Sequence, residues 1–168
     1  MRGDFKLRTP IDDAFSVTWI VDAGTTSQAK AGEPVKMDDA AGSATGEVSI
    51  LAPGEGTTAQ RHAGICKNDS TETASAAGTV TTYLPLPGII YSGKATTASN
   101  ANTAALINAM IGKRVTFDLT STTWSIDEDD TDAVANVVVI LGGDPNTSTL
   151  FWSYRPSGTF LDFAISAS

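Results

Sequence analysis

The stretch NTAALINAMIGKRVTFDLT, residues 102–120, changes its hydrophobic period part-way along. Over 103–111 the apolar residues Leu106, Ile107, Met110 and Ile111 fall at i, i+1, i+4 and i+5, which is one face of a helix. Asn102 or Thr103 can cap its start, Gly112 stands at the C′ position, and Lys113 and Arg114 complement the negative end of the helix dipole. From Arg114 onward the period drops to two, with Val115, Phe117 and Leu119 alternating with polar residues. A helix this short is unstable alone and must dock on something. The sequence around it offers strands.

Downstream, TWSI (123–126), AVANVVVIL (133–141), TLFWSY (149–154) and TFLDFAI (159–165) read as strands, with turns at GGDPNTS (142–148) and RPSG (155–158). Val137 to Leu141 is unbroken apolar, the pattern of a strand buried on both faces. Upstream, Phe15, Val17, Trp19 and Val21 alternate with Ser16, Thr18 and Ile20. Further strands are expected around Val35 and Met37, at 47–52, at 61–67, at 79–84 and at 88–93, with 68–78 a Ser/Thr/Ala loop. The sum is a mainly-β fold, a small β-barrel or sandwich of about nine or ten strands with one short helix across an opening. Residues 1–14 read as an extended N-terminal arm and 15–168 as a single β-rich domain, with 15–95 and 96–168 as its possible sub-parts.

YLPLPGII (83–90) is apolar, yet Pro85 and Pro87 keep it out of a helix interior and out of a central strand. Two readings stand: an internal corner between strands, or an outward-facing seam in which Leu84, Leu86, Ile89 and Ile90 meet another subunit. In the arm, Arg2, Lys6 and Arg8 are expected to meet carboxylates or carbonyls of a neighbour, with Phe5 and Leu7 adding apolar contact, by strand addition to a sheet edge.

A net charge of −8 argues against nucleic acid as a partner. No run of about 18 apolar residues marks a membrane span, and MRGDFKLRTP lacks the apolar region of a secretory signal. Cys66 is the only cysteine, so no disulfide forms within the chain, in keeping with synthesis in the cytoplasm. Thr, Ala and Ser supply 61 of 168 residues, which favours a structural β protein over a typical cytosolic enzyme.

The residues for catalysis are sparse. The sole histidine, His62, precedes Cys66 by four residues; on a regular strand both would share one face about 13 Å apart, too far for a nucleophile and its base. With no second Cys or His, a zinc site lacks ligands. In the acidic run 127–132, Asp127, Asp129 and Thr131 mimic a calcium loop, but Asp132 replaces the turn glycine and Val138 the bidentate Glu, which excludes an EF-hand. The run reads as a solvated turn, with a looser surface calcium site as the alternative. The glycines form neither GxGxxG nor a P-loop. The expectation is a non-enzyme without cofactor or metal.

KAGEPV (30–35), GEVSIL (46–51), AGICKN (63–68) and AGTVTTYLPLPGIIY (77–91) together resemble tailed-bacteriophage capsid decoration, or cement, proteins. The resemblance covers about residues 30–95. It implies a compact β-barrel, no catalytic residues, a major capsid protein as partner, and a place on the outer surface of the virion, where the shell is held mechanically against internal DNA pressure. A homotrimer at positions where three capsid subunits meet is the expected assembly, with a dimer as its rival. Another virion or extracellular β module, such as a head fibre, a tail component or a glycan-binding domain, is the alternative. Glycan stacking would need Trp19, Trp124 or Trp152 exposed, and all three lie in strand patterns that favour the core.

Overall fold

The computed structural model describes residues 5–8, 15–23, 29–38, 47–51, 61–130 and 137–155. It is mainly β. Among the described residues eleven strands run in the order β1 (Lys6–Leu7), β2 (Ser16–Val21), β3 (Pro34–Met37), β4 (Glu47–Ile50), β5 (His62–Cys66), β6 (Gly78–Tyr83), β7 (Tyr91–Lys94), β8 (Arg114–Thr120), β9 (Thr123–Asp127), β10 (Val138–Asp144) and β11 (Thr149–Tyr154). A 3-10 helix (Ala98–Ala101) and the one α-helix among the described residues, α1 (Ala104–Met110), lie between β7 and β8. The strand expected at 159–165 lies outside the described residues.

The strands form two bodies. β2-β4-β3-β5-β6 close into a five-stranded barrel, and β1-β7-β11-β10-β8-β9 make a six-stranded sheet. That sheet curls until β9 returns beside the end of β7, where Ala95 bridges Ile126 and the Thr96 amide donates to the Ile126 carbonyl at 2.9 Å. The barrel has a small core of its own, built from Val21, Val35, Val48, Ala63, Cys66 and Val80. The curled sheet holds the larger one, with Tyr91, Phe117, Trp124, Trp152 and Tyr154. Leu51 and Ile65, from the barrel side, belong to that larger core and weld the bodies together.

The segment 102–120 folds as its period change predicts. Thr103 caps α1 by accepting a hydrogen bond from the Leu106 amide, and Gly112 takes the left-handed conformation after the helix, at φ 84°. Only Ile107 and Met110 of the apolar stripe are buried; Leu106 and Ile111 face solvent. The helix packs on β10, and that contact explains a difference from the sequence reading. Gly142 and Gly143, expected in a turn, are strand residues just past a bulge. A Cβ on Gly143 would lie 3.1 Å from the Ile107 Cδ1 and 2.5 Å from the Thr149 carbonyl oxygen. Gly143 has no side chain because helix and strand approach closely there, not because the chain turns.

Candidate functional site

The first described residues are not a loose arm. Lys6 and Leu7 pair antiparallel with Ser92 and Tyr91 on β7. The Phe5 amide donates to the Gly32 carbonyl at 3.3 Å and the Arg8 amide to the Ile90 carbonyl at 2.7 Å. The Arg8 Nε donates to the Ser92 hydroxyl at 3.2 Å, and its guanidinium stands 5.0 Å from the centre of the Phe151 ring. Phe5 enters the core of the curled sheet, 4.7 Å between ring centres from Phe117 and 5.2 Å, edge-on, from Trp152. Its slot is open because residue 93 is glycine: a Cβ there would meet the Phe5 ring at 2.6 Å.

Phe5 is therefore buried within its own chain and has no free surface for a neighbour, contrary to the expectation for that side chain. Leu7 packs against the same core, while Lys6 and Arg8 stay exposed. Arg2 lies outside the described residues.

YLPLPGII is the crossover from the barrel to the curled sheet. The Leu84 amide donates to the Phe15 carbonyl at 2.9 Å and the Leu86 amide to the Leu84 carbonyl at 2.8 Å, and Gly88 takes φ 90° before β7 begins. Pro85 is buried in this corner. Ile89 is only 5% exposed and Leu86 packs on the large core, so Ile89 is spent inside the chain and not on an outward seam. Leu84, Leu86 and Ile90 keep partial exposure.

His62 and Cys66 are both buried on β5, but on opposite faces. β5 bulges against β3: Val35 pairs with Gly64 and Lys36 with His62, so one extra residue intervenes. Gly64 adopts φ 127°, and a Cβ there would fall 2.0 Å from the Tyr83 carbonyl oxygen. The extra residue reverses the side-chain alternation. Cys66 and Ala63 consequently point into the barrel core, whereas His62 faces the curled sheet, with its ring centre 5.5 Å from Phe117 and 6.0 Å from Tyr154. The shared face predicted from even spacing is overturned by the bulge. Among the described residues neither ring nitrogen of His62 has a hydrogen-bond partner. Burial, assisted by the Lys36 charge, drives the imidazole pKa down to about 3. Burial likewise pushes the Cys66 thiol up, with the Glu33 carboxylate adding to it. These two residues do not form a nucleophile–base pair.

The acidic run is more than a solvated turn. Asp127 closes it by accepting from the amides of Asp129 and Asp130, each at 3.2 Å. Glu128 turns inward and is 1% exposed. Its carboxylate accepts from the Thr96 amide at 3.0 Å, the Thr97 amide at 2.9 Å and the Asn100 side chain at 3.2 Å, tying β9 to the start of the 3-10 helix. The Lys113 ammonium donates to the Glu128 carbonyl at 2.9 Å. A shallow cavity of about 310 Å³ opens beside it, between Met110, Lys113 and Asp129. Among the described residues no cluster of three or more His, Cys, Asp or Glu is arranged to hold a metal ion, and no helix is long and apolar enough to cross a membrane.

The indoles are also spent internally. Trp124 and Trp152 are buried, and Trp19 packs on the barrel core with its Nε1 donating to the Thr82 hydroxyl at 2.9 Å. Comparison with family models, with curated proteins and with solved structures finds no match to this chain.

Proposed function

We propose that this chain is a bacteriophage capsid decoration protein that binds the outer shell and stabilises it mechanically against internal DNA pressure. The observation that carries the reading is the placement of residues 30–95. The segments that resemble cement proteins supply β3, β4, β5 and β6, four of the five strands of the closed barrel. The major capsid protein is the partner, and a homotrimer seated where three capsid subunits meet is the assembly. Closed symmetry uses one surface patch repeatedly without open-ended growth. Several weak contacts made at once raise avidity by about 10²–10⁴. Such a clamp needs a stiff body and no catalytic residue, and two welded β bodies with His62 and Cys66 on opposite faces of a strand support that kind of role. The glycan-binding reading has less support, since Trp124 and Trp152 are buried and Trp19 is packed on the barrel. Removing the protein from particles and adding it back tests the proposal. Binding in many copies per shell, with restored resistance to DNA loss, is the expected result; absence of binding to its own shell overturns it.

A further inference from the structure

We infer that the segment Phe5–Arg8 is an exchangeable strand, and that the groove along β7 accepts the same segment from a second copy of this chain. The groove is built entirely from residues distant in sequence. Tyr91 and Ser92 supply the ladder, Gly93 the opening, and Phe117 and Trp152 the walls of the Phe5 slot. The occupant is known because one already sits there: an extended FKLR segment with an aromatic anchor at Phe5 and an Arg8 guanidinium over Phe151. A strand two residues long holds few backbone hydrogen bonds. Its attachment therefore rests chiefly on the Phe5 anchor.

A segment delivered from a neighbour would make every one of these contacts unchanged. The closed and exchanged forms then differ only in the connection to β2 and in the entropy of association, which is the condition under which strand exchange costs little. Seven Cα steps separate Arg8 from Phe15, a reach of up to about 25 Å when extended. The arrangement also gives the exposed Lys6 and Arg8 an acidic body to approach, since the chain carries a net charge of −8. The inference stands apart from the capsid proposal, because it concerns copies of this chain alone.

Cysteine pairing without any capsid tests it. Lys6 and Ser92 are directly opposed, so the double variant Lys6→Cys/Ser92→Cys reports docking within a chain. A mixture of the single variants Lys6→Cys and Ser92→Cys, refolded together and oxidised, can form that disulfide only between chains. The expected result is a covalent heterodimer, with the disulfide between positions 6 and 92 identified by mass spectrometry and a yield that rises several-fold with a tenfold increase in protein concentration. If the double variant links within the chain but the mixture yields no such heterodimer at any concentration, exchange is wrong. If the double variant fails to link at all, the docked register itself is wrong, and the inference falls with it.

Discussion

At the scale of the residue, Phe5 and Gly93 form one device. The ring fills a slot that exists only because position 93 has no side chain, since an added Cβ would stand 2.6 Å from it. Phe5→Ala is expected to cost about 3–5 kcal/mol, the usual penalty for emptying a large aromatic site in a core. Gly93→Ala is expected to cost a similar amount by expelling the ring. The two changes should not add, because once Phe5 is gone the methyl group at 93 has room. Urea unfolding of the two single variants and the double variant checks this, with strong non-additivity expected; additive losses would mean that Gly93 serves the backbone and not the slot. It also follows that deleting the arm costs core stability as well as any contact with a neighbour, since Phe5 belongs to the fold.

At the scale of the element, the strands were legible where alternation is undisturbed. Val115, Phe117 and Leu119 announce β8, and Phe15 to Val21 announce β2, because a half-buried strand writes its two faces into the sequence. The capped helix was legible from Thr103 and Gly112. What stayed hidden depends on contacts between distant segments. The bulge at Gly64, which separates His62 from Cys66, is set by pairing with β3. The strand character of Gly142 and Gly143 is set by pairing with β11, the tight space at Gly143 by Thr149 and α1, and the docking of Phe5 by β7 and Trp152. Glu128 was hidden in another way: five acidic residues in a row of six give no sign that one of them points inward. Its carboxylate satisfies two backbone amides and the Asn100 side chain at the junction of β9 and the 3-10 helix. Glu128→Ala takes the acceptor from the Thr97 amide, while the Thr96 amide keeps the Ile126 carbonyl and the Asn100 side chain keeps Asp129, and is expected to destabilise the protein by about 1–3 kcal/mol. Asp129→Ala, at an exposed neighbour, should cost much less. Comparable losses for both would show that charge in the run matters and the inward hydrogen bonds do not.

At the scale of the whole molecule, His62 links stability to pH. It lies where the barrel meets the curled sheet, against Phe117 and Tyr154 and near Lys36, with no hydrogen-bond partner among the described residues. In the unfolded chain the imidazole protonates below about 6.5; in the folded protein it stays neutral down to about 3. The unfolded state therefore binds more protons between those values, and stability falls as pH drops through that window. From pH 7 to pH 5 this single group is expected to remove about 2 kcal/mol. His62→Phe should abolish that part of the pH dependence in urea unfolding, whatever its effect at neutral pH; identical slopes for the two proteins would place the acid sensitivity elsewhere. Leu51, Ile65 and a ring of aromatic side chains join the two bodies in one core, in keeping with the proposed mechanical clamp. The most direct test of that role is the temperature at which DNA escapes from intact particles, from particles stripped of this protein, and from stripped particles to which it has been restored. Stripped particles are expected to release DNA at a lower temperature, and restoration to recover the original value; release at one temperature from all three would overturn the proposed clamp.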